Sequence, residues 1–472
     1  MTGDDLAFQP ATALAGMIRD KQVSPVDLVQ AYLSRIDRLD DGLRAYVTVC
    51  RDAALAAARA AESRRGRGAP LGRLGGVPFA VKDQFDTKGV TTTQGSKLYA
   101  DRVPDETATV VARLEAEGAI LLGKLNMTEF ALGGTQDFPF GQPRNPWHRA
   151  HDPGGSSSGS GIATAAALAA FTLGEDTGGS VRSPAGFCGV VGIRPTWGRV
   201  SRHGVFPLSW SMDAPGPLGR TVADVAMVLA IMAGRDPRDP LTSDAPVADY
   251  PAAVGSEVGG LRIGMITELT AGPDTSSEVR GAIDTAAKLL GGLGARVDPV
   301  SIPTLPLAGA VFMALADSEG AGLHMDALRT RPLDFDRGTR RRLIAAGLLP
   351  TAITQEAARA RVIIRTEVLR AFDRFDVLLS PTAPSTAASI TAMRAPIESG
   401  EEAARRFFTR RSFTTPASLA GLPAISVPCG FSVAGLPIGL HLMGRVFDES
   451  TLFRVAHAYE RATPWHQRRP AE

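Results

Sequence analysis

Residues 153–186 read PGGSSSGSGIATAAALAAFTLGEDTGGSVRSPAG. A Gly/Ser run from Pro153 to Gly161 enters an alanine-rich stretch that predicts a helix over 162–170. A short apolar segment beginning at Phe171 then runs into the glycine turn Gly178-Gly179, and Ser183-Pro184 marks a second helix start. Helix, apolar segment, turn and helix in so short a space is the alternation of a layered α/β protein.

The same alternation extends in both directions. Upstream, Val77–Val81 predicts a strand ending at Lys82, Val110–Gly118 a helix, and Ala119–Lys124 another strand. Residues 11–64 carry apolar positions at helical spacing (Leu14, Met17, Ile18; Leu28, Tyr32, Ile36), with Ser24-Pro25 as a cap and first turn, and predict two or three helices. Arg64–Gly76 predicts an exposed loop, and Gly133–Gly161 a long loop of the kind that carries function. Downstream, strands are predicted at Leu261–Ile266, Asp376–Leu379 and Ala424–Pro428, with a helix at Ser277–Leu293. No break in composition divides the chain.

Charge excludes several function classes. The 472 residues hold 51 Lys+Arg against 49 Asp+Glu, a formal charge of +2, with 44% hydrophobic residues. That composition is globular, and it provides no basic field for nucleic acid or anionic lipid. No apolar run approaches the roughly 18 residues of a membrane span, and the acidic start Met1-Thr-Gly-Asp-Asp is unlike a signal peptide. Cys50, Cys188 and Cys429 form no C-x-x-C pair, so no thiolate metal site is expected and a cytoplasmic location is. Only six cations are lysines, at 21, 82, 88, 97, 124 and 288, so a lysine in an unusual place is informative.

Three places could carry chemistry. Ser157 formally sits in G-x-S-x-G, but Arg149-Ala-His-Asp-Pro153 before it is no strand, so the nucleophile elbow is discarded; no phosphate loop or dinucleotide fingerprint is present either. Ser180 lies between the glycine turn and a helix start, where its hydroxyl is exposed and backbone N–H groups converge as an oxyanion would require. Lys82 ends an apolar strand, and burial would lower its pKa until it could serve as a base. Asp83 alternates to the other strand face, so Lys82 is expected to have no carboxylate partner. None of the seven histidines comes with a Ser-His-Asp pattern, which leaves a serine and lysine scheme.

The runs GGVPFAVKD (75–83), PGGSSSGS (153–160) and DTGGSVRSPAGFCGVVGIRPT (176–196), in that order, resemble the amidase signature family of serine hydrolases. So do DETATVVARLEAEGAILLGKLNMTEFA (105–131), DAPGPLGRTVADVA (213–226) and FTTPASLAGLPAISVPCG (413–430). The resemblance implies an α/β fold with one mixed, twisted sheet sandwiched by helices. It implies a single domain over 1–472, with N-terminal helices to about 64, a core over about 71–220, and residues 221–472 completing the sheet. It places the catalytic lysine on Lys82, a bridging serine after a cis peptide bond on Ser156, and the nucleophile on Ser180. The oxyanion hole falls on Thr177, Gly178, Gly179 and the Ser180 N–H. Asp176, Arg182, Ser157 and Ser158 become supporting residues, and Met127, Phe130, Gly133, Gly134, Thr135, Gln136, Phe138 and Phe140 line the substrate pocket.

The implied reaction is hydrolysis of a carboxamide C–N bond through an acyl-enzyme, with no cofactor and no metal. Two pocket phenylalanines and no lysine there point to a neutral aryl or alkyl amide as small-molecule substrate. Carbamate or ester cleavage, the glutamine-hydrolysing subunit of a tRNA-dependent amidotransferase, and a catalytically silent binding protein are the alternatives. Glutaminase members carry an Asp where this chain has Arg411, which counts against free glutamine. The single chain is expected to act without a partner subunit, and a homodimer stays open.

Overall fold

The computed structural model describes residues 3–471. Its strands are β1 (Tyr46–Val49), β2 (Pro78–Lys82), β3 (Ile120–Leu125), β4 (Phe171–Glu175), β5 (Val191–Arg194) and β6 (Pro215–Gly219). They continue with β7 (Arg262–Ile266), β8 (Arg296–Val300), β9 (Val377–Pro381), β10 (Ala424–Phe431) and β11 (Pro437–Gly444). All eleven join in one sheet, in the order β1-β3-β2-β4-β6-β5-β10-β11-β9-β7-β8. The sheet is mixed: β2 runs parallel to β3 and β4, whereas β4 and β6, β5 and β10, and β10 and β11 are antiparallel. Strands buried at every position, such as β2, β4, β9 and β11, are those that helices cover on both faces. Among the described residues no helix is long and apolar enough to cross a membrane.

The N-terminal periodicity becomes the helices Ala11–Arg19, Pro25–Leu43 and Arg51–Gly66. The second is capped as its sequence predicts, with Ser24 Oγ accepting from the N–H of Val26 at 3.1 Å and of Asp27 at 3.4 Å. Strand β1, between these helices, was not expected. Nor was β6, whose sequence PGPLG has no strand propensity. Pro215 and Pro217 are tolerated because β5 pairs only with Leu218 and Gly219, so the missing N–H groups fall where one neighbour has already ended.

The helix predicted over 162–170 forms at Ser158–Ala165 instead. It starts inside the Gly/Ser run because that run is buried and closely packed: a Cβ at Gly159 would collide with the carbonyl of Ala45 and the backbone of Asn126. It stops early because Ala167 adopts φ +50°, turning the chain into β4. The long helix Ala308–Thr330 was also missed. Its buried positions Ala308, Phe312, Ala316, Gly320, His324 and Leu328 recur every four residues, but most are small or polar and leave a thin apolar signal.

Candidate active site

Lys82 is the last residue of β2 and Glu175 the last of the adjacent parallel strand β4, so both side chains emerge at one end of the sheet. Ligands of α/β proteins gather outside the carboxyl ends of such strands. Ser156 arrives just before the helix Ser158–Ala165, after a cis Gly155–Ser156 bond. Ser180 sits in the turn between β4 and the helix Arg182–Cys188. Lys82 Nζ donates to Ser156 Oγ at 2.8 Å, with Lys82 fully buried and Ser156 nearly so. Ser180 is half-buried, and its carbonyl accepts from the Ser157 N–H at 3.3 Å. Among the described residues no hydrogen bond joins the Ser156 and Ser180 hydroxyls.

The turn around Ser180 is tied from below. Asp176 accepts from the Gly179 N–H at 2.8 Å, the Val181 N–H at 3.1 Å and Arg182 Nε at 3.0 Å, while Arg182 Nη2 lies 2.8 Å from Oδ1. Burial pushes the Asp176 carboxyl up, but the guanidiniums of Arg182 and Arg194 and these donors more than offset it, so it is held well below the usual range and stays ionised. Arg182 also donates to the Thr414 carbonyl at 2.8 Å, His441 Nε2 at 2.9 Å and Ser418 Oγ at 3.2 Å. Sequence reasoning gave His441 no role. Burial, reinforced by Arg182, holds it well below its usual pKa, so it is a neutral acceptor behind the turn. Gly178 and Gly179 are required by close approach: a Cβ would strike Phe312 at the first and Thr414 at the second, where φ is +121°.

The oxyanion expectation needs one correction. The Gly179 N–H is already used by Asp176, whereas those of Thr177, Gly178 and Ser180 donate to no protein acceptor among the described residues. Ser157 and Ser158 do bond locally, Ser157 Oγ to the Glu175 carbonyl at 3.3 Å and Ser158 Oγ to the Gly154 carbonyl at 2.7 Å.

A second correction concerns Lys82, expected to lack a carboxylate. Glu175 Oε2 lies 3.6 Å from its Nζ, with both side chains fully buried. Asp83 does face away, as alternation predicts, and lies 3.7 Å from a second buried lysine, Lys124. Burial lowers the Lys82 pKa, Glu175, Asp213 and Asp176 pull it back, and the net direction is down.

The expected pocket residues divide. Met127 and Phe130 are core: Phe130 stacks within 4.1 Å of His324 and 5.6 Å of Phe335, ring centre to ring centre. The Gly133 carbonyl accepts from Arg342 Nη1 at 2.7 Å, and a Cβ at Gly133 would lie 3.0 Å from Arg411 Nη2. Gly134 is exposed; Thr135 Oγ accepts from the Glu129 N–H at 3.0 Å; Gln136 Oε1 accepts from Arg337 Nη2 at 2.8 Å. Phe138 and Phe140 are half-buried. The loop is therefore held by Arg337, Arg342 and Arg394, which local sequence did not reveal. Burial and the nearby Arg342 push Arg411 down to about 9, as befits a cation short of counter-charge.

An eleven-stranded mixed sheet carrying a buried lysine against a serine, beside a glycine turn that presents a second serine, is an α/β enzyme scaffold. The profile of the Amidase family matches residues 27–453, and the chain belongs to that family, the amidase signature enzymes. It is 40% identical to the A subunit of the glutamyl-tRNA(Gln) amidotransferase of Thermosynechococcus vestitus, over 95% of this chain and 97% of that protein. A bacterial aryl acylamidase of the amidase signature family superposes with TM-score 0.88 at 28% identity, covering 98% of this chain and 97% of that one. A chain from a vestigial complex tied to the origins of an s-triazine catabolic enzyme gives TM-score 0.89 at 35% identity, with 96% and 98% covered.

Proposed function

We propose that this chain cleaves the C–N bond of a carboxamide through an acyl-enzyme on Ser180. The observation that carries the reading is the 2.8 Å contact between buried Lys82 and Ser156. Neutral Lys82 takes a proton from Ser156, which takes one from Ser180 as its oxygen attacks the carbonyl. The N–H groups of Gly178 and Ser180 stabilise the oxyanion. Run backwards, the relay protonates the leaving amine, and water then releases the acid. Carbamates and esters fit the same machinery.

Two amide sources are in competition. The similarity to amidotransferase A subunits favours glutamine, with this chain working beside partner subunits. Arg411, beside Gly133, favours a free carboxamide without an ammonium group, which it would repel. Ammonia release from glutamine by the purified chain, against turnover of anilides, aliphatic amides, esters and carbamates, separates them. Ser180→Ala is expected to lower amide turnover on the order of 10⁴-fold or more while the protein stays folded. A fluorophosphonate should label Ser180; labelling at Ser157 would sink the assignment.

A further inference from the structure

We propose that Glu175 is a positioning residue for Lys82, its carboxylate stabilising the ammonium that Lys82 becomes each time it takes a proton from Ser156. The inference rests on the amide-cleavage reading above. Glu175 and Lys82 end neighbouring parallel strands, and Oε2 faces Nζ at 3.6 Å with no hydrogen-bond partner of its own. That separation is longer than a hydrogen bond, so the carboxylate attracts an ammonium without obliging the amine to be charged. Lys82 keeps its short contact for Ser156.

The other Glu175 oxygen is held by Thr177, whose Oγ lies 3.0 Å from Glu175 Oε1 and 2.8 Å from Asp213 Oδ1. A hydroxyl has one proton, so both contacts are hydrogen bonds only if one carboxyl is protonated. Asp213 is that group: burial, and then the charge of Glu175, push it well above the usual carboxylate range. Its oxygens also receive the N–H groups of Leu208 at 2.8 Å and Ser209 at 2.9 Å. Asp213 then donates to Thr177, Thr177 donates to Glu175, and the negative charge of the cluster is gathered on Glu175 facing Lys82. The third carboxylate near Lys82, Asp176, is taken up by Arg182 and Arg194. The proton balance is closed: Ser156 O–H breaks and Lys82 N–H forms.

The test is the second-order rate at which a fluorophosphonate labels Ser180, followed against pH, which needs no knowledge of the natural substrate. Glu175→Gln keeps the Thr177 contact and removes the charge. The plateau rate is expected to fall on the order of tenfold to a hundredfold. The acid limb should also move to lower pH, because an ammonium without its carboxylate gives up its proton more readily. A purely structural role would lower the plateau and leave the limb in place, and that result overturns the proposal. Should Glu175→Gln not fold, Glu175→Asp carries the test: the withdrawn carboxylate should shift the limb in the same direction by less, and a folded variant with an unmoved limb is equally fatal. Absence of labelling at Ser180 in the unsubstituted chain would instead defeat the amide-cleavage reading itself.

Discussion

Two lysines are buried side by side on adjacent strands. Lys124 of β3 pairs with Val81 of β2, and Lys82 pairs with Leu125, so the two amines leave opposite faces of the sheet. Both are fully buried and both have depressed pKa values, Lys124 to about 8 through burial partly offset by Asp83. Their surroundings differ. Lys124 is caged, donating to the Phe85 carbonyl, Thr92 Oγ at 2.8 Å and Thr87 Oγ at 3.3 Å, with Asp83 at 3.7 Å. Lys82 makes one short hydrogen bond, to a serine hydroxyl, and faces Glu175 across a longer gap. A buried lysine whose every proton has an acceptor is a strut. One whose bond is to another proton donor is equipped to exchange protons, so satisfaction of the ammonium, more than burial, sets the two lysines apart.

Substitution at Lys82 tests this contrast most severely. Lys82→Arg keeps a cation that cannot lose its proton, so it should be as inactive towards amides as Lys82→Ala, down on the order of 10³- to 10⁴-fold in turnover. Near-normal turnover in Lys82→Arg would make Lys82 a second strut and break the comparison.

Lys124→Met should show the opposite profile. It leaves Asp83 buried without its counter-ion and should cost about 3–5 kcal/mol, less what Asp83 regains by protonating. Thermal and urea unfolding would register that loss, while Ser180 labelling per folded molecule stays close to that of the unsubstituted chain. A catalytic defect without a stability defect would exchange the roles of the two lysines.

The smallest effect concerns Ser156, which separates proton delivery from nucleophilic attack. Ser156→Ala should impair amides strongly but activated esters less, since their leaving groups need little protonation. The amide-to-ester ratio should fall at least about tenfold. Equal loss on both substrates would mean that the contact with Lys82 serves attack alone.

Much of the candidate site is legible in the sequence. Lys82, Ser156, Ser180, Asp176 and Arg182 all stand in three short runs, because glycine turns, helix starts and strand ends are written in neighbouring residues. The β/α alternation follows for the same reason. Strands such as β6 do not, because their pairing overrides a sequence without strand propensity.

What the sequence by itself determined is the class of chemistry: which residue types stand at strand ends and turns, and in what order. Only the tertiary structure decided which charges meet. Glu175 reads as one acidic residue before a glycine turn until β2 places Lys82 beside it and residues 205–214 bring Asp213 over Thr177. Asp83 and Lys124, Arg182 and His441, and Gly133 and Arg342 are partners of the same kind, separated by 41, 259 and 209 positions. The physical reason is that backbone conformation and capping are set within a few residues. Burial and electrostatic pairing belong to the packed molecule, where segments remote in the chain share one low-dielectric interior.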